Sequence, residues 1–476
     1  MRTHWLWIVA AAGAAGGCRP SDVLTVPPPA GVIASSAAAS QAGAESAYLV
    51  AKADLFRYIA GQFFFGLLTW SEFVTDEFTF AGFSGYGPYA NIDARITTQT
   101  GGFTESGDQP LQGIMTSRAS LLLTIPQLEQ YEPTAGQSKV GEAFALVGYA
   151  EVFVAEDYCA GATLDQVIPG GGIHFGTPTT TDSLLAVAAS HFDSALAHAG
   201  GDPTIQSLAS VGLARAQLNR GQFAAASAAL SDVPPGFVYN IVLEPGSYST
   251  GGAPDAFSVY DDAYYNGYTI FNVADGEGGN GLNFRSALDP RLLFDSSSTT
   301  FDGARFYLPA KFLANIADVP LATGIEAVLI QAEGALQGGD PVTWLSDLNT
   351  LRTAGPAISG VDTTWLAGTG GIAGLAPLPD PGADTARTSL LFRERAFWLF
   401  GTGTRLGDLR RLIRQYGRDQ SVVFPTGPYP YGHNASLPTP LLNYGSDVSL
   451  TLPTPASGFT DPNPNYKGCL TSPRTA

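Results

Sequence analysis

The dominant pattern in this chain is a series of helical segments that come in pairs joined by very short links. Residues 205–219 and 223–230 both follow a helical period, and Gly221 lies between them. A glycine at this point favours the left-handed turn that ends a helix. Residues 321–336 and 341–352 are joined through Gly339 and Asp340, a helix stop followed by an N-cap. Links this short predict helix hairpins.

Hairpins that follow one another bury their faces on their neighbours, as in tetratricopeptide proteins. Apolar residues recur near every 3.6 positions in several further segments and predict helices there. These helices span residues 44–68, 111–130, 140–158, 183–198, 387–399 and 407–416. The predicted fold class is therefore mostly α, an α-superhelical body of irregular tetratricopeptide-like hairpins without a regular repeat.

Residues 233–318 interrupt the helical pattern and are rich in Gly, Tyr, Asp and Ser. Short β-branched or aromatic runs such as 268–273 predict small β-hairpins between long loops. Beyond Ser421 the chain is rich in Pro and Tyr, which predicts an extended tail across the body. We expect one domain over residues 44–476. It comprises an N-terminal helical part (44–232), a loop-rich ligand-side insertion (233–318) and a C-terminal helical part with the tail (319–476).

The amino terminus has the pattern of a signal peptide over residues 1–17, with Arg2, an apolar run and small residues at its end. The apolar run is shorter than the ~20 residues that span a bilayer. Residues 15–18 resemble a lipobox, in which the thiol of Cys18 would be acylated. Ordinary secretory cleavage beside an unrelated cysteine is the alternative. Residues 18–43, rich in Pro, Ala, Ser and Gly, fit a flexible tether. The segment predicts a lipid-anchored protein.

The remaining cysteines form an even pair if Cys18 carries lipid. Cys159 and Cys469 would then lie in an oxidising compartment, where a disulfide is stable. Such a bridge would hold the carboxyl end of the chain on the helical body. Two buried, unpaired thiols are the alternative that the sequence leaves open.

Charge and motifs exclude several classes of function. The chain has 24 Lys+Arg against 42 Asp+Glu, a net charge of -18, which disfavours a nucleic acid partner. It contains no H-E-x-x-H, P-loop or G-x-S-x-G motif. Residues 276–281 fit G-x-G-x-x-G, but no helix is predicted after them and Glu277 would repel a pyrophosphate. Histidines are not spaced to share a metal, and adjacent acids such as Asp261 and Asp262 fit a solvated surface. We predict a non-enzymatic protein without cofactor or metal.

Aromatic residues in Gly/Pro-rich segments are the candidates for ligand binding, because sugar rings stack on exposed aromatic faces. Packing within the loops is the alternative for each of them. The predicted ligand-binding residues are Trp70, Phe83, Tyr86, Tyr89, Tyr260, Tyr264, Tyr265 and Tyr268, with Tyr429 and Tyr431 as a further cluster in the tail.

Several segments, in order along nearly the whole mature chain, resemble the SusD/RagB family of nutrient-binding lipoproteins. They are residues 70–78, 146–158, the D-P-R-L turn at 289–292, the helix pair within 320–352, the R-E-R helix and its partner within 391–411, and D-P-N-P-N at 461–465. Trp398 and Thr402 stand where the family pattern has two acids, which argues against close kinship.

The resemblance implies a SusD-like fold, a non-enzymatic role in nutrient uptake and a location on the outer membrane, facing the cell exterior. Proteins of this family cap a SusC-like TonB-dependent transporter in the outer membrane and capture an oligosaccharide or a peptide for it. The charged residues of the late motifs lie on adjacent helices and are predicted to form buried, structural ion pairs. They are Arg393, Glu394, Arg405, Asp408 and Arg410. A secreted hydrolase acting on polymers and a surface scaffold protein are the alternative functions.

Overall fold

The computed structural model of this chain describes residues 39–60, 66–81, 87–97, 109–133, 137–168, 172–242, 271–297, 299–300, 305–309, 319–353, 375–430, 443–453 and 462–476. Within these ranges the chain forms thirteen α-helices, a short 3-10 turn and four small two-stranded sheets. The predicted fold class, a mostly helical body with small β elements, is confirmed.

Elements are numbered here in chain order. The helices are α1 (Gln41–Ala60), α2 (Leu67–Val74), α3 (Gly87–Asp93), α4 (Gln109–Tyr131), α5 (Gln137–Asp157), α6 (Thr181–Ala197), α7 (Pro203–Asn219), α8 (Phe223–Ala228), α9 (Gly324–Gln337), α10 (Pro341–Thr353), α11 (Asp384–Trp398), α12 (Arg405–Arg414) and α13 (Gln420–Val423). The strands are β1 (Phe78–Phe80), β2 (Gln166–Val167), β3 (Ile173–His174), β4 (Val238–Ile241), β5 (Phe271–Val273), β6 (Phe294–Asp295), β7 (Leu308–Pro309) and β8 (Val319–Thr323).

Helix α5 is the centre of the body. Every one of its residues from 145 to 157 is buried. Helices α4, α6 and α7 pack around it, and α12 reaches it from the other half of the chain. A helix that is apolar on nearly all sides must be enclosed by neighbours, and the Ala-, Val- and Phe-rich sequence of α5 meets this condition. The acids in this buried part, Glu151, Glu156 and Asp157, therefore need partners.

Phe192 of α6 explains why glycines occur inside two neighbouring helices. A Cβ atom at Gly148 of α5 would lie 2.7 Å from the Phe192 ring, and one at Gly212 of α7 would lie 2.1 Å from it. Only glycine leaves room for the ring between these helices. The ring is fully buried, so the three helices share one close-packed contact.

The second half repeats the hairpin arrangement, with α8, α9 and α10 packed in succession and α11 against α9. The link between α9 and α10 has the predicted chemistry. Gly339 has a φ of +80°, and the Asp340 side chain accepts a hydrogen bond from the Thr343 N–H at 3.0 Å. Pro341 then begins the next helix.

Some predicted helix bounds are wrong. Helix α9 begins at Gly324, not at residue 321, because residues 319–323 form β8 and pair with β4, while the Thr323 side chain caps the helix. The helix predicted over 44–68 is not continuous, because Gly66 has extended backbone angles (φ −82°, ψ 122°) before α2. Helices α3 and α13 have no counterpart among the predicted helices.

In the described part of the 233–318 segment, β6 and β7 pair locally as predicted, whereas β4 and β5 pair with strands outside it. Strand β5, within the run 268–273, pairs antiparallel with the distant β1, and β4 pairs with β8. The pairs β2–β3 and β6–β7 join strands that are closer in sequence. Two of the four sheets therefore connect the insertion to the helical parts of the chain.

The carboxyl end of the chain is attached to the end of α5. Cys159 and Cys469 are joined by a disulfide with their Cα atoms 5.6 Å apart. Leu450 donates to the Asp157 carbonyl at 2.7 Å and accepts from the Cys159 N–H at 3.0 Å. Leu470 donates to the Ala160 carbonyl at 2.7 Å. The described parts of the tail beyond residue 443 therefore lie on the body, tied by one covalent bond and several backbone hydrogen bonds.

Candidate ligand-binding site

The pairing of β1 with β5 brings together two parts of the chain that are far apart in sequence. Phe80, the last residue of β1, is the register partner of Phe271, the first residue of β5. The sequence after β1 contains Phe83 and Tyr86, and the sequence before β5 contains the tyrosines from 260 to 268. Both predicted aromatic clusters are therefore attached to the described body at one end of the same sheet.

Those six aromatic residues lie outside the described residues. They are Phe83, Tyr86, Tyr260, Tyr264, Tyr265 and Tyr268. Their role in binding stays a prediction.

Trp70 and Tyr89 require a correction. Both were expected to present exposed ring faces, but Trp70 is 4% exposed and Tyr89 is 1% exposed. Their ring centroids are 5.3 Å apart, and Phe73 lies 5.8 Å from the ring of Tyr89. Both side chains come from helices, α2 and α3, whose apolar faces pack on one another. They form part of the core that supports the candidate site.

Asp93, at the end of α3, connects this core to β1 and to the tail. Its carboxylate accepts from the Phe80 N–H at 2.7 Å and from the Tyr429 hydroxyl at 2.6 Å. Burial raises the pKa of Asp93 well above its usual range, and the nearby Glu277 carboxylate raises it further. Tyr429 is therefore a buried partner of this acid instead of an exposed platform. Tyr431 lies outside the described residues.

The glycine-rich residues 276–281 pack against the tail. The Tyr444 hydroxyl donates to the Glu277 carboxylate at 2.6 Å, and Glu277 is buried. Gly278 has a φ of +60°, and a Cβ atom there would lie 2.3 Å from the Thr426 backbone nitrogen. The glycines thus permit close backbone contact. Glu277–Gly279 form a 3-10 turn, and no helix follows it directly in the described residues.

A buried network of ion pairs and hydrogen bonds connects Asp76 and Glu77 to Leu282 and to residues 401–405. Arg405 donates to both oxygens of Asp76 at 2.7 and 2.9 Å, and Asp76 also accepts from the Leu282 N–H at 2.8 Å. Glu77 accepts from the Gly401 N–H at 2.8 Å. Burial raises the pKa of Glu77 well above its usual range, and the Glu72 carboxylate adds to this. The acids of the 70–78 motif are thus structural.

Glu394 is the centre of a second buried network. Its carboxylate accepts from Arg291 at 2.7 Å and from Arg352 at 3.0 Å, while Arg393 lies farther away at 3.4 Å. Asp289 also accepts from Arg291, at 2.7 Å. The D-P-R-L turn, α10 and α11 therefore meet at this one carboxylate.

Asp408 links α11 to α12. It accepts from Arg395 at 2.7 Å and from Arg411 at 2.7 Å. Burial alone would raise the pKa of Asp408, but these two guanidinium groups outweigh it and lower the pKa to about 2. Arg410 differs from the expected ion pairs, because its guanidinium donates to the backbone carbonyls of residues 155, 156 and 158. Burial lowers the pKa of Arg410 to about 9.

Two residues of this region were not singled out in the sequence. Asp93 supports β1, and Arg95 donates to the carbonyls of Asp447 at 2.9 Å and Pro425 at 2.6 Å. Both lie in residues 90–96, where the flanking side chains are mostly apolar. Charged residues in such a setting indicate burial with partners. This sequence pattern could have identified Asp93 and Arg95 as buried, partnered residues.

The described ranges contain neither a membrane-spanning helix nor a metal-binding cluster. No described helix is long and apolar enough to cross a bilayer. No group of three or more His, Cys, Asp or Glu residues in those ranges is arranged to hold a metal ion.

Comparisons with known proteins find similarity in structure alone. No family model and no curated protein matches the sequence. Among solved structures, a putative sugar binding protein from Bacteroides vulgatus has a TM-score of 0.58 at 15% identity, with 90% of this chain and 98% of that one covered. A laminarin binding SusD-like protein has a TM-score of 0.54 at 14% identity, with coverages of 85% and 99%. A SusD superfamily protein from Bacteroides vulgatus has a TM-score of 0.54 at 13% identity, with coverages of 80% and 91%. The predicted SusD-like fold is confirmed.

Proposed function

We propose that this chain, which has the fold of the SusD superfamily, is a non-catalytic glycan-binding protein of the cell surface. The observation that carries the proposal is the match over most of both chains to proteins named for carbohydrate, sugar or laminarin binding. One fold can serve several functions, so the proposal also needs a site. The end of the β1–β5 sheet is the proposed site.

The proposed ligand-stacking residues follow β1 and precede β5. They are Phe83, Tyr86, Tyr260, Tyr264, Tyr265 and Tyr268. Support comes from Phe80 and Phe271, whose pairing attaches both segments at neighbouring points of a well-packed body. Sugars present apolar faces that stack on aromatic rings, and rings held on a rigid frame bind with less loss of conformational entropy. Trp70 and Tyr89 are assigned a supporting role because they are buried.

We further propose that Cys18 carries a lipid anchor in the outer membrane and that the protein passes its ligand to a SusC-like TonB-dependent transporter. The support is the signal-like sequence before Cys18, the tether-like residues 18–43 and the SusD-like fold. A peptide is the second ligand class of this proposal. A catalytic role is disfavoured, because the charged clusters described above are engaged in holding helices together.

A binding panel with a parallel hydrolysis assay tests the proposal. Mature protein is titrated by calorimetry with laminarin, other neutral oligosaccharides and peptides, and the same mixtures are analysed for cleavage products. Binding without turnover is expected. Replacement of Tyr264 and Tyr265 with alanine should weaken binding at least tenfold, whereas Tyr131→Ala, on the packed helix α4, serves as the matched control. Product formation, or no binding to any glycan or peptide, would refute the proposal.

Separate measurements test the anchor and the partner. Mass spectrometry of the mature amino terminus should find an acylated Cys18, and an unmodified terminus or cleavage elsewhere would contradict the anchor. Affinity purification from detergent-solubilised membranes should recover a TonB-dependent barrel. Recovery of other surface proteins without a barrel would favour a scaffold.

A further inference from the structure

A small pocket lies between residues 281–287 and α11. Its volume is about 250 Å³, and its walls are Gly281, Leu282, Asn283, Ser286, Ala287, Arg393 and Phe397. Pockets for drug-sized ligands occupy roughly 300–1,000 Å³. This cavity therefore suits a single small group such as one sugar residue.

The ionic cluster on the α11 side of the pocket carries an excess of positive charge, whereas the Asp275 carboxylate lies behind Ser286 on the 281–287 side. Three guanidinium groups, of Arg291, Arg352 and Arg393, surround Glu394, and Asp289 is paired with Arg291. Three positive charges thus meet two negative charges in this cluster. Arg291 and Arg352 are engaged by short bonds and are largely buried, so the excess charge lies on the more exposed Arg393.

Arg393 has hydrogen-bonding capacity to spare. Its side chain is 38% exposed, and its contact to Glu394 is 3.4 Å long, whereas Arg291 and Arg352 approach the same carboxylate to 2.7 and 3.0 Å. In the part of the chain that the structure describes, no other carboxylate forms an ion pair with Arg393, and the Asp289 carboxylate, which attracts it from farther away, is bonded to Arg291. The Phe397 ring, 4.6 Å from the guanidinium carbon, restrains it at the pocket wall. A guanidinium held in this way suits bidentate recognition of a carboxylate.

The other walls fit a sugar better than a bare ion. Leu282, Ala287 and Phe397 contribute apolar surface, and Asn283 has an exposed amide that donates and accepts hydrogen bonds. The Ser286 hydroxyl donates to Asp275 at 3.1 Å and keeps its acceptor capacity. These groups match a ring that carries both hydroxyls and apolar C–H faces.

We propose that this pocket binds the carboxylate of an acidic sugar residue, with Arg393 as the residue that recognises the charge. The inference rests on the proposed glycan-binding function and narrows it to a glycan containing a uronic acid. The ligand would then be anionic although the whole chain carries a net charge of -18. Local charge at the contact, screened from distant groups over about 10 Å, decides such recognition.

The test compares trigalacturonic acid with its fully methyl-esterified form, since the two ligands share the same sugar rings and the ester replaces each carboxylate charge with an uncharged methyl ester. Calorimetry on the mature protein should show at least tenfold tighter binding of the acid. Arg393→Gln should abolish that preference, with a loss of roughly 10- to 100-fold for the acid. Ala287→Trp, which fills the pocket without changing its charge, should also block binding of the acid.

Arg387→Gln is the matched control. Arg387 is on the same helix, but its guanidinium is already paired with Asp380 and Asp384 at 2.7 and 2.9 Å. This variant should bind the acid as the wild type does, which separates a local contact from a change in net charge. Circular dichroism confirms that all variants are folded.

Each other outcome overturns the inference in a distinguishable way. Equal binding of acid and ester, or an unchanged preference in Arg393→Gln, would refute the pocket while leaving glycan binding intact. Displacement of the acid by sodium sulfate at lower concentration than by galacturonate would identify a site for free inorganic anions instead. No binding of either trisaccharide, of laminarin or of the neutral panel would refute the proposed function as well.

Discussion

Glu394→Gln tests whether the buried carboxylate at the junction of α10, α11 and the 289–292 turn stabilises the fold. The side chain is completely buried and accepts from Arg291 at 2.7 and 3.3 Å and from Arg352 at 3.0 Å to both oxygens. Glutamine has the same shape, so the substitution leaves no cavity. It removes one negative charge and turns one acceptor into a donor that faces guanidinium groups.

The expected loss of unfolding free energy depends on the contacts that each arginine keeps in the variant. Breaking a buried ion pair by removing one partner costs about 3–5 kcal/mol, because the remaining charge stays buried without compensation. Arg291 keeps Asp289 at 2.7 Å, and Arg352 keeps the Ala376 carbonyl at 2.8 Å. We therefore expect the lower part of that range, about 3 kcal/mol of lost unfolding free energy.

Asp384→Asn is the matched control on the same helix. The Asp384 side chain is 91% exposed and pairs with Arg387 one helical turn away. An exposed pair of this kind contributes about 0–1 kcal/mol. Urea unfolding at pH 7, followed by circular dichroism, gives the free energy of each variant from its midpoint and slope. A difference between the two variants below about 1 kcal/mol would refute the reasoning that Glu394 holds the junction.

Three further outcomes are expected. Replacing Cys159 and Cys469 with serine opens a link between residues 310 positions apart and should lower the unfolding free energy by about 3–5 kcal/mol in urea titrations, while an unchanged midpoint would contradict it. Gly212→Ala should destabilise by about 1–3 kcal/mol through its 2.1 Å approach to Phe192, and a second substitution, Phe192→Leu, should restore part of the loss. Burial, with Asp340 adding, raises the pKa of Asp347 to about 6, so its contribution to stability is present below pH 4 and lost as pH rises through 6. Asp347→Asn should therefore become more stable than the wild type above pH 6, by about 1 kcal/mol after allowance for its half-exposed position, and equal pH profiles would contradict this.

Local signals predicted much of the helical body. Gly339, Asp340 and Pro341 specify a helix end and the next helix start within a few residues, and the structure follows them. The apolar residues recurring within 140–158 likewise predicted a helix there, and the structure forms α5 over Gln137–Asp157. Helix ends, helix starts and apolar periodicity depend on residues within one segment, so they can be predicted without knowing what the segment packs against.

The errors arose where a distant partner decides the conformation. Residues 321–323 continue the apolar pattern of α9, but pairing with β4 makes them a strand. Trp70 and Tyr89 resemble loop aromatics in sequence, yet they face each other across two helices. Arg410 and Arg411 are adjacent in sequence. Arg411 forms ion pairs with Glu333 and Asp408, whereas Arg410 faces the carbonyl end of α5. These contacts join residues on different elements of the chain, so a local sequence pattern cannot predict them.

The pairing of β1 with β5 also affects how the sequence of such a protein can change. Because Phe80 and Phe271 are fixed against each other, the chain between β4 and β5 begins and ends at anchored points. Closing a longer insertion between fixed ends costs only about 0.6 kcal/mol for each doubling of its length. The segment could therefore gain, lose or exchange residues between lineages with little effect on the helical body. Under the proposed function, a changed preference at the aromatic cluster before β5 would require changes in this stretch, while the pairing of β1 with β5 stayed constant.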